Sequence, residues 1–282
     1  MWLKTFLIFL GAFFVGLVAT LFISKSRLDR ENARLVDELL ADAGPESDRV
    51  FRLEDLVRLP EPVQRYLAHV LTEGQPYLRT VRLRQSGEFL MGDAMAAWKP
   101  FTATQHFTVD PPGFVWDASI VMAPLLPVRV VDAYQAGEGA LRAKILSVVS
   151  VVNAGPGPEM NSGELIRYLA ETGWFPTALL PGGGVGWQSI DEVSARATLE
   201  HRGTTVSLVF YFNNRDEVER VYAEARYREV DGAFEPTPWT GRFSNYQVRN
   251  GVLIPLDGEV AWNLPGGDLT YWRGHVEEIA FR

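Results

Sequence analysis

Three hydrophobic patterns follow one another along the chain. From Trp2 to Ile23 nearly every position is apolar, and Lys4 carries the only charge. A bilayer-spanning helix takes about 20 apolar residues, so this run predicts a transmembrane anchor over residues 1–24. After Ser24 the apolar positions thin to a stripe at helical spacing. Leu28, Leu35 and Leu39, with Val36 and Leu40, recur among charged residues. They predict a juxtamembrane helix over residues 25–44, ended by Gly44-Pro45. The stripe suits a simple helical extension leaving the bilayer, or a short helix–helix contact between protomers. A further helix is predicted from Leu59-Pro60-Glu61-Pro62 to Leu71, with Val63, Tyr66, Leu67 and Val70 on one face.

Beyond Pro76 the period changes to two. Val81, Leu83 and Gln85 alternate with Arg82, Arg84 and Ser86, and comparable runs continue to the C-terminus. Residues 140–152 read as one such run and residues 241–249 as another. Residues 162–172 read as an internal helix. Tight turns separate the late runs at Arg202-Gly203, Asn213-Asn214, Asn250-Gly251 and Gly266-Gly267. Asn-Gly supplies the positive φ angles of a two-residue hairpin, and short connections force antiparallel neighbours. The fold class is therefore α+β: an N-terminal transmembrane helix, then a large curved antiparallel sheet with two or three helices. A sheet of about a dozen strands curls toward an unclosed barrel. Residues 45–282 are expected to form a single β-rich domain. The alternative is a pair of domains divided near residues 155–158 or 181–186.

A cleaved secretory signal is the competing reading of the first segment. Its apolar core is usually about 7–15 residues, followed by small residues. The run here is longer, and Leu17 and Ala19 make a poor cleavage pair. An uncleaved anchor is preferred to a signal, and both to a core helix. Lys25, Arg27, Arg30 and Arg34 follow the run, which read literally favours a cytoplasmic C-terminal part. Long domains translocate largely regardless of such charges. A first span after a very short N-terminus also commonly acts as a signal-anchor. The adopted expectation is a single-pass protein of the bacterial cytoplasmic membrane with an extracytoplasmic domain.

Charge and composition remove several classes. The first 44 residues are balanced, five basic against five acidic, so the formal charge of −8 sits on the remainder. An acidic domain without a basic stripe repels phosphate backbones, so no nucleic-acid partner is expected. The chain has no Cys, which removes disulfides, thiol nucleophiles and Cys-metal sites. Its four histidines (69, 106, 201 and 275) are scattered, with no compact metal spacing. The glycine run Gly182–Gly186 precedes a strand rather than a helix and reads as a turn, not a phosphate loop. No cofactor, metal or catalytic signature is expected.

The chemistry-bearing candidates are aromatic and helical. Glu164, Arg167, Tyr168 and Glu171 lie at helical neighbour spacings, followed by Trp174. A buried Glu beside Arg and Tyr can bind or protonate a ligand. The plainer reading makes Asn161 and Glu164 a capping-box-like pair and Arg167 and Glu171 an ordinary i,i+4 ion pair. Seven tryptophans follow the anchor. Large aromatics fill cores by default, and they also line clefts for apolar ligands. Trp239, in Thr237-Pro-Trp-Thr-Gly241, looks like the entrance of a strand, where it would sit at a cavity mouth.

Several segments, in order, resemble a bacterial membrane-anchored domain-of-unknown-function family. They are Leu59-Pro-Glu-Pro-Val-Gln-Arg-Tyr-Leu67, Gly163-Glu-Leu-Ile-Arg-Tyr-Leu-Ala-Glu171, Trp174-Phe-Pro-Thr-Ala-Leu-Leu-Pro181, Thr237–Gly241 and Tyr271-Trp-Arg-Gly274. The resemblance covers nearly everything after the anchor and implies no activity. Tyr246-Gln-Val-Arg-Asn-Gly-Val-Leu-Ile-Pro255 further resembles late hairpins of the lipoprotein-carrier fold. That likeness implies an unclosed barrel with helices over its opening, holding acyl chains. The leading expectation is a non-catalytic binding module for a lipid or acyl chain. Trp174, Trp187 and Trp239 would make apolar contacts, with Glu164, Arg167 and Tyr168 as polar groups. The alternatives are an envelope scaffold for another protein and an enzyme built on Glu164, Arg167 and Tyr168. An exposed, merely capping Glu164 would sink the enzyme. A scaffold predicts an exposed apolar patch and no internal cavity.

Overall fold

The computed structural model describes residues 2–45, 48–90 and 97–282. Its thirteen strands form one antiparallel sheet. The first six are β1 (Thr80–Leu90), β2 (Trp98–Thr108), β3 (Gly113–Ala123), β4 (Leu126–Gln135), β5 (Glu138–Ile145) and β6 (Val149–Ala154). The others are β7 (Val185–Asp191), β8 (Ser194–His201), β9 (Thr204–Phe212), β10 (Val218–Val230), β11 (Ala233–Arg249), β12 (Val252–Leu264) and β13 (Gly267–Phe281). Each half is a meander of hairpins. The halves join where β1 pairs β13, from Val81 opposite Phe281 to Phe89 opposite Trp272. The spatial order therefore runs from β6 through β1 and β13 to β7, and β6 and β7 are the two open edges. The sheet is an unclosed barrel, as the hairpin pattern predicts.

Two predicted boundaries change. The run over 140–152 is a hairpin, β5 and β6, because the chain reverses at Leu146 and Ser147, both at positive φ. Leu146 N–H donates to Pro127 O across the neighbouring turn, at 3.0 Å. No glycine marks this reversal, so the turn chemistry is not legible. Strand β11 also begins eight residues before Gly241, running through Pro236 and Pro238. A bulge between Ala223 and Arg226 of β10 leaves Pro238 outside the ladder, and bulges are where strand prolines are tolerated.

Helix α1 (Trp2–Asp42) is continuous. Its first half is exposed and apolar, and by length and composition it is able to cross a membrane. Its last turns lie along the outer face of the sheet. Leu39 packs with Val115, Val131 and Ala133, flanked by Leu35 and Val36. Asp29 meets Arg129 at 2.8 Å, and Glu31 lies 3.8 Å from Lys144. Gly113 lets the helix approach: a Cβ there would lie 2.7 Å from Leu39 Cδ1. The apolar stripe thus meets the chain's own sheet through Leu35, Val36 and Leu39.

Helix α2 (Glu61–Val70) packs against β8 and β12 and buries the predicted face of Val63, Tyr66, Leu67 and Val70. Helix α3 (Pro158–Glu171) connects the two edge strands and lies inside the curve, against β4, β5, β9 and β10. It is followed by short 3-10 turns at Thr172–Trp174 and Pro176–Leu179. Between the two halves of the sheet, Tyr134 Oη and His201 Nδ1 are 2.9 Å apart, linking β4 to the end of β8.

Candidate functional site: a cavity between the inner helix and the sheet

Helix α3 sits close to β5 at one end and leaves space at the other. The close end depends on Gly139, where a Cβ would lie 2.8 Å from Met160 O and 3.0 Å from Glu164 Cγ. Asn161 accepts the Gly139 N–H at 2.8 Å. Asn161 is therefore not a cap. The helix starts at Pro158, earlier than the predicted Ser162, and Glu164 lies within it, buried. The capping-box reading is corrected accordingly.

The remaining space is a cavity of about 390 Å³. Such a volume falls in the range of small-molecule pockets, about 300–1,000 Å³. Aromatic residues of the sheet form much of its wall, among them Phe89, Trp116, Trp239, Phe243, Trp262 and Trp272. Trp174 closes the end beyond α3, donating Nε1–H to Pro255 O at 3.0 Å. Trp239 donates to Tyr271 Oη at 2.9 Å, and Tyr271 stacks on Trp262 with ring centres 5.7 Å apart. Trp239 is only 3% exposed. It lies inside the cavity and not at a mouth, because β11 begins well before it.

The opposing wall is polar. Arg167 meets Asp132 at 2.5 Å and Glu171 at 2.9 Å, and Gln105 donates to the other Glu171 oxygen at 2.8 Å. The Arg167–Glu171 pair is the predicted i,i+4 pair, but buried and not on a surface. Arg226 donates to Gly163 O at 3.2 Å and to Tyr271 Oη at 3.1 Å, with Glu164 3.9 Å away. Both guanidiniums stack on rings, Arg167 over Phe114 and Trp116, Arg226 over Trp239 and Trp262. Three carboxylates thus face two guanidiniums. Burial, then the neighbouring Asp132 carboxylate, pushes Glu164 up to about 8. Burial also raises Glu171, with Arg167 pulling back. A protonated Glu164 leaves two negative and two positive charges, so the cluster is neutral. Glu164 Oε2 and Asp132 Oδ1 are buried without a hydrogen-bond partner among the described residues. A proton on Glu164, which burial favours, supplies a donor at this orphaned pair of oxygens.

The six predicted residues divide. Glu164, Arg167, Trp174 and Trp239 line the cavity. Tyr168 points away, donating to Thr108 O and Val109 O, with its ring against Phe107 and Phe175. Trp187 also lies elsewhere, donating to Leu179 O and packing edge-on against Phe210. Asp132, Gln105 and Arg226 were not anticipated. The first two carried a signal: each occupies an inward position of an alternating strand, Asp132 between Val130 and Tyr134, Gln105 between Ala103 and Phe107. Arg226 was hidden by the bulge, which reverses the parity after Ala223.

No curated protein matches the chain. Among solved structures, the chain is similar to a LolA superfamily protein from Nitrosomonas europaea, at 11% identity and a TM-score of 0.41, covering 88% of this chain and 93% of that one. It is also similar to a beta-barrel-like protein of a domain of unknown function, DUF1849, from Brucella abortus. That match has 8% identity and a TM-score of 0.23, covering 73% of this chain and 99% of the other. The strand order and the inner helix define the fold without either likeness. A family model covers residues 57–281, which takes in α2, all thirteen strands and the inner helix; the chain belongs to DUF6920, a family of unknown function.

Proposed function

We propose that the chain is a membrane-anchored binding module that shelters an apolar ligand, a lipid or acyl chain, between α3 and the curved sheet. The observation that carries this reading is the cavity of about 390 Å³ walled by Trp116, Trp239, Trp262 and Trp272. Burying apolar ligand surface there contributes about 25 cal/mol per Å². The neutral polar cluster on the opposite wall orients a headgroup or carboxylate without presenting a net charge. On this reading α1 sits in the bacterial cytoplasmic membrane and the globular part is extracytoplasmic. A membrane-impermeant maleimide should therefore label an exposed single cysteine of the globular part in intact spheroplasts.

The binding test is native mass spectrometry of the full chain released in mild detergent. Wild type should carry a lipid-sized mass, and an Ala143→Phe variant, which fills the cavity wall, should lose it while remaining folded. Bare chain in both cases, with no binding of a fluorescent fatty acid, would overturn the reading.

A second reading, an enzyme acting on the bound lipid, is favoured by one observation. Glu164 is a buried, proton-holding carboxyl lining the cavity, a state suited to a general acid. The two readings separate on Glu164→Gln. A binding module returns the same ligand mass from variant and wild type, whereas an enzyme accumulates a different one.

A further inference from the structure

Two hairpin tips stand out among the exposed surfaces. The β3–β4 turn reads Val121-Met-Ala-Pro-Leu-Leu-Pro-Val128, and the β5–β6 turn reads Ile145-Leu-Ser-Val-Val-Ser-Val-Val152. Neither contains a charge. Leu125 is 95% exposed, and Val121, Val148, Val149 and Val151 are exposed with it. Strand β6 adds a free edge. In water such an apolar tip and edge are a pairing hazard, normally blunted by charge. The absence of blunting calls for a cover.

The direction of α1 supplies one. Its C-terminal end lies at Gly113, the start of β3. Higher up, Asp29 meets Arg129, four residues past Leu125, and Glu31 nears Lys144, three residues before Ser147. At about 3.3 Å per strand residue the tips lie roughly 13 and 10 Å beyond these contacts. At about 1.5 Å per helical residue, α1 reaches those levels near Thr20 and Ser24. That is where its apolar run ends. The tips therefore stand beside the helix where it would enter the bilayer.

We infer that the β3–β4 and β5–β6 tips dip into the same bilayer as α1 and form a lipid-facing rim beside the cavity. This rests on α1 being a span. Ile120 and Val152, next to these tips, line the cavity, so an acyl chain passes from bilayer to cavity along apolar surface. The occupant of the patch is the membrane itself, and not a second copy paired through β6.

The chain has no Cys, so single-cysteine variants report cleanly. Val15→Cys, Leu125→Cys, Val148→Cys and Arg215→Cys each take an environment-sensitive dye. The full-length proteins are reconstituted in phosphatidylethanolamine–phosphatidylglycerol vesicles carrying nitroxide-labelled acyl chains. The expected result is blue-shifted, quenched emission at positions 125 and 148, deeper quenching at 15 and none at 215. Quenching at 15 alone would overturn the inference while leaving the span in place. Quenching at none of them would overturn both. A blue shift at 125 and 148 that persists without nitroxide quenching would assign the tips to a second copy and overturn the inference.

Discussion

The indole of Trp272 occupies the space that a side chain at position 274 would need. It stacks on Phe101, with ring centres 5.8 Å apart and planes 28° apart, and lies across Gly274 and Gly258. Gly87, Gly274 and Gly258 are direct neighbours on β1, β13 and β12. Together they make a bare strip of sheet on which one wall of the cavity is laid.

The three glycines should differ in a fixed order. A Cβ at 87 would run into the Arg273 carbonyl, which is backbone and has nowhere to go. At 274 it would strike the Trp272 ring, which can be pushed into the cavity, and at 258 it would lie 3.2 Å from that ring. Overpacking costs about 1–3 kcal/mol. Thermal unfolding should therefore rank Gly87→Ala as worst, then Gly274→Ala, then Gly258→Ala. Trp272→Leu should ease Gly274→Ala most, Gly258→Ala slightly and Gly87→Ala not at all. An unchanged penalty in the Gly274→Ala double variant would refute the contact.

Glu164 makes stability depend on pH. An unfolded Glu releases its proton near 4.5, whereas the folded chain holds it to about 8. Between these values the folded state binds the extra proton, so stability falls as pH rises. It is intact below about 4.5 and the loss is complete above about 8, amounting to several kcal/mol. Glu164→Gln keeps a donor toward Asp132 and should flatten melting temperature against pH over that window. Matching slopes for variant and wild type would mean that Glu164 is ionised in the fold.

The two arginines should not be equivalent. Removing Arg167 strands Asp132 and Glu171 in the interior, and breaking such a buried pair costs about 3–5 kcal/mol. Arg226 faces a Glu164 that is neutral, so Arg226→Met loses mainly its bonds to Gly163 O and Tyr271 Oη, about 1–3 kcal/mol. Chemical denaturation should find Arg167→Met the more damaging, with partial rescue by Asp132→Asn plus Glu171→Gln. The reverse ranking would show that Glu164 carries a full charge.

Helix α1 is part of the fold beyond its apolar half. Leu39 is 1% exposed and covers Val115, Val131 and Ala133. Leu39→Ala should cost about 2–4 kcal/mol in the full chain. Truncation at Gly44 should give a less stable protein than truncation at Ser24, because only the former uncovers that patch. Equal melting temperatures for the two truncations would show that the helix contributes nothing to the sheet.

The sequence alone carried whatever depends on local period and turn chemistry. The 22-residue apolar run, the alternation beyond Pro76 and the Asn250-Gly251 turn define an apolar helix and an antiparallel meander. These signals are local because helix and strand place side chains at fixed intervals of about 3.6 and 2 residues. Glu164 and Arg167 were legible as candidates for the same reason. The tertiary structure decided everything that needs distant strands to meet. It paired β1 with β13, brought Asp132 and Arg226 to α3, and laid Trp272 on glycines from two strands. It also turned Tyr168 and Trp187 away from the cavity. No period encodes these contacts. They follow from sheet curvature, from a bulge that reverses which face a residue presents, and from the energetic demand that buried charges find partners.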